Sequence, residues 1–306
     1  MADPSNRPEP APLGPRQWPA WLGIGLMALL AQLPWPLQRL LGRGLGNLLH
    51  ACMGSRRRVA ARNLELCFPA LDPAARKALL RDSFRELGIG LFEFARAWWG
   101  SIAPMRKELR VEGLEHLQAA RADGRGVIII SGHFTTLEIA GRLLCDHAQV
   151  AGMYRPHDQG AMEWAVKRGR MRYAQHMFTR DELRPAVKHL RQGGVLWFAP
   201  DQDTRRGDSV FVPFFGQQAH SLTSTHQLAR MSRARVMAFA HERRADGGYS
   251  LRLSPALAEF PSEDASADTA RVMAAVEAMV RQAPAQYLWI HRRFKRQPGS
   301  GTTPYA

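Results

Sequence analysis

The spacing of apolar residues changes along the chain, from helical periodicity to an alternation of short apolar runs and helices. A helix start is predicted at Asp72-Pro73, and apolar residues then recur at helical spacing as far as WWGS. Beyond Val111, short runs such as GVIIIS and GGVLWFAPDQD alternate with helical segments. This pattern predicts an α/β fold with a mixed, mostly parallel sheet and helices on both faces. The turn at 246–248, Asp-Gly-Gly, predicts one antiparallel hairpin.

The N-terminus divides into a proline-rich part and an uncharged part. Residues 1–16 hold five prolines and predict an extended tail. From Trp18 to Gln38 no residue is charged, a length just sufficient to span a bilayer core, although Pro34 and Pro36 would break its last turns. We therefore predict a membrane anchor helix over residues 17–41. The alternative is a helix buried in the core.

The remaining chain, residues 42–306, is predicted to form the functional domain. More arginines follow the uncharged stretch than precede it, which predicts a single N-terminal anchor with the body of the protein in the cytoplasm. Lys and Arg number 42 against 27 Asp and Glu, a formal charge of +15. Such an excess favours an anionic partner, namely nucleic acid, an acidic protein or anionic lipid. The three separate cysteines exclude a disulfide framework and are predicted to be small buried residues.

One short segment combines a strand end with ionisable residues. In IIISGHFTTLEIAG, His133 comes just after the most apolar predicted strand of the chain and Glu138 falls within the next predicted helix. Ligands and catalytic groups in open α/β sheets lie at such carboxyl ends of strands. A carboxylate that fixes a histidine ring makes that histidine a general base, so the pair is a candidate catalytic site. The alternative is a histidine that caps the helix and a glutamate that is paired elsewhere.

Other chemistries have less support in the sequence. No HExxH motif, G-x-S-x-G elbow, P-loop or GxGxxG motif is present, so neither a metal nor a nucleotide cofactor is predicted. The segment KRGRMR (167–172) is either a solvated face or a clamp for phosphates or an acidic carrier. In the segment 198–216, the sequence VFVPFFG would suit the wall of an acyl-chain site or a hairpin packed on the core.

In this order, these segments resemble the late acyltransferases of lipid A biosynthesis, the lauroyl and myristoyl transferase family. The resemblance runs from about residue 18 to 296 and includes SGHFTTLEIAG, YRPHDQ, KRGRMR, APDQDTRRGDSVFVPFFG and QYLWIHRRFK. The His-x4-acid motif is shared with many glycerolipid acyltransferases, whereas the last two segments are more specific to this family.

The resemblance implies a glycerolipid-acyltransferase-like fold and an enzyme of lipopolysaccharide biosynthesis at the inner membrane. Such an enzyme would transfer a lauroyl or similar chain from acyl carrier protein to a hydroxyl of a hydroxyacyl chain on a lipid A precursor. His133 would be the base and Glu138 would hold its ring, without an acyl-enzyme. Arg170 would stabilise oxyanion charge or hold a phosphate, while Asp201 and Arg155 would lie in substrate-binding loops. No cofactor or metal is implied.

Two other functions are consistent with parts of the sequence. A glycerolipid acyltransferase would use the same His-acid pair on a glycerol phosphate acceptor. A membrane-tethered basic protein without catalytic activity would bind nucleic acid or anionic lipid, but no nucleic-acid-binding motif is present and we do not expect a nucleic-acid partner.

Overall fold

The computed structural model describes residues 10–203, 207–299 and 303–305. Arg205 and Arg206, which belong to the APDQDTRRGD segment, lie outside the described residues. The helices are α1 (Trp18–Leu30), α2 (Trp35–Cys52), α3 (Gly54–Cys67), α4 (Pro73–Trp99), α5 (Ala103–Lys107), α6 (Leu114–Arg121), α7 (Leu137–Leu144), α8 (Gly160–Arg170), α9 (Leu183–Arg191), α10 (Ser224–Ser232) and α11 (Ala265–Gln282). The strands are β1 (Leu109–Glu112), β2 (Val127–Ile130), β3 (Val150–Tyr154), β4 (His176–Thr179), β5 (Val195–Phe198), β6 (Ser209–Phe214), β7 (Gln217–Leu222), β8 (Arg235–Arg243) and β9 (Tyr249–Ala256).

The main sheet has seven strands in the order β1-β9-β8-β2-β5-β3-β4. Strands β8, β2, β5, β3 and β4 run parallel, and β9 pairs antiparallel with β8 through the predicted turn at 246–248. β2 is the central strand, and all four of its side chains are buried because helices cover both faces of the sheet. The predicted mixed, mostly parallel sheet is therefore confirmed.

The predicted N-terminal membrane helix is wrong. Within the described residues, no helix combines the length and the apolar composition that a bilayer crossing requires. The uncharged segment forms α1, which ends at Leu30, and a separate α2; thirteen residues span only ~20 Å, short of the ~30 Å hydrocarbon core. At the bend, the buried Gln38 amide donates to the carbonyls of Leu30 (2.7 Å) and Leu33 (3.1 Å). The guanidinium of Arg96, on α4, donates to Gln38 Oε1 at 2.8 Å and to the Leu33 carbonyl at 2.5 Å.

Close helix packing ties this N-terminal segment to the rest of the chain. α2 lies against α4 where glycines replace side chains: a Cβ on Gly46 would lie 2.3 Å from the Phe84 carbonyl oxygen. A Cβ on Gly88 would lie 2.1 Å from the Gly42 carbonyl oxygen. The two backbones therefore touch, and α2 continues without a break across residue 42, where we predicted the functional domain to begin.

The cysteines differ in burial more than we predicted. Cys67 is buried in the core, Cys145 is half-buried and Cys52 is exposed. Cys52 is the last residue of α2, beyond the part of that helix that packs on α4, which explains why it is not part of the core.

A buried ion cluster joins α4 to the sheet. The Arg243 side chain, only 3% exposed at the end of β8, donates to the carboxylates of Glu93 and Glu86, both on α4. Tyr249 Oη donates to Glu93 as well. A buried charge without a partner is costly, so each member of this cluster depends on the others.

We expect Arg243→Ala to lower the free energy of unfolding by about 3–5 kcal/mol, because Glu93 would be left buried without its cation. Urea denaturation of the variant and the wild-type chain measures this loss. Arg230→Ala is the control, since Arg230 and its partner Glu263 are 61% and 94% exposed, and it should cost less than about 1 kcal/mol. Equal losses in the two variants would contradict the assignment of the cluster.

Candidate active site

The histidine of the His-x4-acid motif pairs with an aspartate from the neighbouring strand. His133 Nδ1 lies 2.5 Å from Asp201 Oδ1, and the His133 backbone N–H donates to Asp201 Oδ2 at 2.8 Å. The register of the parallel strands β2 and β5 pairs Ile130 with Phe198, and each of the two ionisable residues follows its strand by three positions. The sheet therefore brings them together at its carboxyl edge.

The carboxylate of Asp201 is fully buried and accepts a further hydrogen bond from the C-terminal part of the chain. Tyr287 Oη donates to Asp201 Oδ2 at 2.8 Å. The same segment pairs with the loop that carries the histidine, because the Leu288 N–H donates to the His133 carbonyl at 2.9 Å. The Thr135 N–H donates to the Gln286 carbonyl at 2.8 Å. Three separate parts of the chain thus fix the position of one imidazole ring.

The electrostatics of this pair favour a histidine that binds a proton. Burial would lower the pKa of His133, but the Asp201 carboxylate outweighs burial and raises this pKa above its usual value. Burial would likewise raise the pKa of Asp201, yet the attraction of His133 and the hydrogen bonds from His133 and Tyr287 hold it far below the usual range. With Nδ1 bound to a carboxylate, Nε2 is the ring nitrogen available for proton transfer.

Glu138 contacts Arg170 and not His133, so the predicted His133–Glu138 pair is not formed. Arg170 Nε and Nη2 donate to the two carboxylate oxygens of Glu138 at 2.9 and 2.8 Å. Tyr173 Oη and Trp98 Nε1 each donate to Glu138 Oε1 at 2.7 Å. The reason is geometric, because α7 turns the glutamate towards α4 and the end of α8, where these donors are.

Both partners of the second pair are held in their ionised forms. Burial would raise the pKa of Glu138, but Arg170 and the hydrogen bonds lower it below its usual value. Burial would lower the pKa of Arg170, whereas Glu138 raises it. The Arg170 guanidinium also lies over the ring of Tyr154, 5.7 Å from its centroid. The arginine is therefore charged and fixed in place.

His133 of the first pair and both members of the second pair line one cavity of about 270 Å³, and the buried Asp201 supports His133 from behind its wall. The polar residues His133, Glu138, Arg170 and Tyr154 belong to its lining, and the rest of the lining is largely apolar. The apolar members come from α7, β3, β4 and β5 and include Leu137, Gly141, Leu144, Cys145, Val150, Ala151, Gly152, Met177, Trp197 and Phe198. Such a cavity is suited to a ligand with a polar head and an apolar tail.

Three other segments that the sequence analysis singled out differ in whether they reach the cavity. Arg155 lines the same cavity, and its side chain is 68% exposed beside Asp158. The VFVPFFG sequence forms the β6–β7 hairpin, whose Val212 and Phe214 are buried in the core with α11 residues, so it is not a wall of this cavity. In KRGRMR only Arg170 reaches the cavity.

Three residues of the site were absent from the sequence prediction. Tyr287, Trp98 and Tyr173 hold the two carboxylates, and they come from the C-terminal segment, α4 and the turn after α8. Tyr287 lies in QYLWIHRRFK, one of the segments on which the family resemblance is based. Its place in that segment is the one feature of the sequence that could have indicated its role. Nothing in the spacing indicates that Trp98 and Tyr173 share a partner.

Comparison with known proteins places this site in a family. A sequence profile described as bacterial lipid A biosynthesis acyltransferase matches residues 8–296. The chain belongs to this family. The lipid A biosynthesis lauroyltransferase of Escherichia coli K12 is 39% identical to this acyltransferase over 288 residues, 94% of each chain. The palmitoleoyltransferase of the same organism is 38% identical over 295 residues, 96% of each chain, and its myristoyltransferase is 28% identical over 293 residues.

One solved structure is a more distant match to this acyltransferase. The 1-acyl-sn-glycerophosphate acyltransferase of Thermotoga maritima aligns over 83% of this chain and 99% of its own, with a TM-score of 0.38 and 14% identity.

The contacts of His133 predict which carboxylate controls its titration. In Asp201→Asn the ring stays buried but loses its negative partner, so we expect the pKa of His133 to fall below the wild-type value. NMR of the histidine ring carbons across a pH series measures this pKa. Glu138→Gln is the control and should shift it less, because Glu138 contacts Arg170 instead. The assignment is contradicted if the two variants shift the pKa equally.

Proposed function

We propose that this acyltransferase moves a fatty acyl chain from the thioester of an acyl carrier protein to a hydroxyl of a lipid A precursor. The supporting observation is that His133, held by Asp201, and the Arg170–Glu138 pair line one cavity whose remaining walls are mostly apolar. A base, a fixed cation and an apolar space are what the transfer of an acyl chain to a hydroxyl requires.

The first step is activation of the acceptor. His133 Nε2 takes the proton from the acceptor hydroxyl, while Asp201 stabilises the resulting imidazolium through Nδ1. Asp201 is suited to this role because Tyr287 and the His133 N–H already occupy its second oxygen, so the carboxylate does not need to reorganise. Asp201 thus has the role that the sequence assigned to Glu138.

The second step is acyl transfer. The activated oxygen forms a bond to the thioester carbonyl carbon, and the negative charge passes to the carbonyl oxygen. Arg170 stabilises that oxyanion, and Glu138 holds Arg170 in position. The carbon–sulfur bond then breaks, and the departing sulfur takes the proton from His133. The carrier leaves as a thiol, and no acyl-enzyme forms.

The names of the relatives give different acyl chains. The relatives named above are called lauroyl-, palmitoleoyl- and myristoyltransferases, and they match this chain over most of its length. Acyl carrier proteins are generally acidic, and the net charge of +15 on this chain would favour their approach.

We expect His133→Ala to reduce acyl transfer about 10²- to 10⁴-fold, because the general base is lost. Transfer from acyl carrier protein thioesters to a lipid A precursor, followed by mass spectrometry, measures the loss. His116→Ala is the matched control, as His116 is 38% exposed on α6 and away from the cavity, and it should be fully active. A residual rate above about a tenth in His133→Ala would contradict the role of the histidine, and transfer to glycerol phosphates instead would favour a glycerolipid acyltransferase.

The proposed acceptor is a membrane lipid, and α1 exposes an apolar face that suits a membrane interface. Leu22, Leu26 and Leu29 share one face of the helix and are 76%, 57% and 68% exposed. Trp18, 61% exposed, lies at the start of the same helix. We propose that this face inserts into the interfacial layer and brings the cavity to its acceptor.

A triple variant tests this attachment. Leu22→Glu, Leu26→Glu and Leu29→Glu together should lower partitioning to phosphatidylethanolamine–phosphatidylglycerol vesicles more than about tenfold, since the apolar contact is lost. Sedimentation with vesicles measures the bound fraction. The control carries Leu71→Glu and Leu183→Glu, which replace exposed leucines outside α1 and should bind like the wild type. Equal binding by all three proteins would sink the proposal.

A further inference from the structure

A glycine interrupts one line of side chains that runs across the sheet below the site. Side chains alternate between the two faces of a strand, so residues paired in register share a face. The register pairs Ile129 with Trp197, Trp197 with Gly152, and Gly152 with Met177, across β2, β5, β3 and β4. Gly152 therefore leaves a notch between a tryptophan and a methionine.

The cavity passes over this notch and away from the polar groups. Trp197, Gly152 and Met177 all line it, as does Val150, which lies one row further down the same face of β3. On the opposite wall the lining follows one side of α7 from Leu137 to Cys145. Eight residues of helix correspond to ~12 Å, so the lining extends from polar residues at one end, here called the mouth, to apolar residues at the other, here called the floor.

The end of the Met177 side chain narrows the passage at the notch. A Cβ at position 152 would lie 2.9 Å from both Sδ and Cε of Met177, so the thioether group lies directly over the glycine. On the helix side, a Cβ at Gly141 would lie 2.6 Å from a ring carbon of Trp197. The ends of the Met177 and Trp197 side chains therefore lie between mouth and floor, and the methionine is the flexible one of the two.

We propose that Met177, seated over Gly152, limits the length of the acyl chain that this enzyme accepts. The carbonyl stays at the mouth beside His133 and Arg170, and the tail extends past the notch towards Val150. The inference rests on the proposed function and adds to it the residues that select the donor. An acyl tail is favoured here because the lower lining has no charged group among its residues: Leu144, Cys145, Val150, Ala151, Ala174 and Met177.

Two substitutions should shift the preference in opposite directions. Gly152→Val adds a side chain under the thioether and shortens the passage. The variant should therefore prefer shorter fatty acids than the wild-type chain does. We expect the affinity of this variant for the fatty acid that the wild-type chain binds best to fall about tenfold, the equivalent of roughly two buried methylenes. Met177→Ala opens the notch and should move the optimum to longer acids. Met231→Ala is the control, since Met231 is 38% exposed on α10 and outside the cavity.

The experiment uses the full chain with two readouts. Calorimetric binding of free saturated fatty acids, from octanoate to stearate, gives the length preference without turnover. Acyl transfer from a mixture of acyl carrier protein thioesters, with mass spectrometry of the product, gives the preference during the reaction. Circular dichroism establishes that each variant is folded, and if Gly152→Val does not fold, Met177→Ala alone decides.

The outcomes separate the inference from the function on which it rests. Shifts towards shorter acids in Gly152→Val and longer ones in Met177→Ala support it. A length profile that is unchanged in folded Met177→Ala overturns it, whatever the rate of transfer. If the wild-type chain binds fatty acids with a profile that the variants shift, yet transfers none of the thioesters, the length-selecting role stands and the proposed function fails.

Discussion

The site depends on the need of one buried carboxylate for hydrogen-bond donors. Asp201 has no exposed surface, and a charge in that position is tolerated only if groups nearby replace the water it has lost. The donors come from the loop after β2 and from the C-terminal segment, which approach each other around this side chain. The orientation of the imidazole and the path of the last folded segment are therefore consequences of the same electrostatic requirement.

The carboxylate of the Arg170–Glu138 pair is also buried, and a separate set of donors stabilises it. Glu138 is 4% exposed and accepts hydrogen bonds from an arginine, a tyrosine and a tryptophan, so its negative charge is fully occupied before any ligand arrives. Arg170 is consequently the group of this pair that can act on a substrate. A lysine could not replace it, because the two-point contact of a guanidinium with both carboxylate oxygens is lost with a single ammonium group.

How far the sequence predicts the structure depends on the range of the interaction. The sheet and its hairpin follow from local periodicity and turn residues, and His133 follows from its place at a strand end. The partner of His133 depends on which strands are neighbours: β2 and β5 are adjacent in the sheet, although 64 residues of chain, 131–194, separate them. Glu138 is close to His133 in the sequence, and the local spacing therefore predicted it as the partner of the histidine. Tyr287, Trp98 and Tyr173 join the site only through tertiary packing, which no spacing rule describes.

The N-terminal membrane helix was predicted wrongly for a related reason: the absence of charge over residues 18–38 does not show that helix α1 ends at Leu30 or that α2 packs on α4. The packing of α2 on α4 also has a consequence for synthesis on the ribosome. α2 meets α4 through glycine backbones, and the segment Phe84–Ile89 that it touches is made some forty residues after Gly42–Gly46. At about 5–20 residues per second, the first two helices wait seconds without their partner. During that interval the contact face of α2 is uncovered in addition to the leucines of α1, which stay exposed in the folded chain, so the nascent chain exposes more apolar surface before α4 emerges than after it.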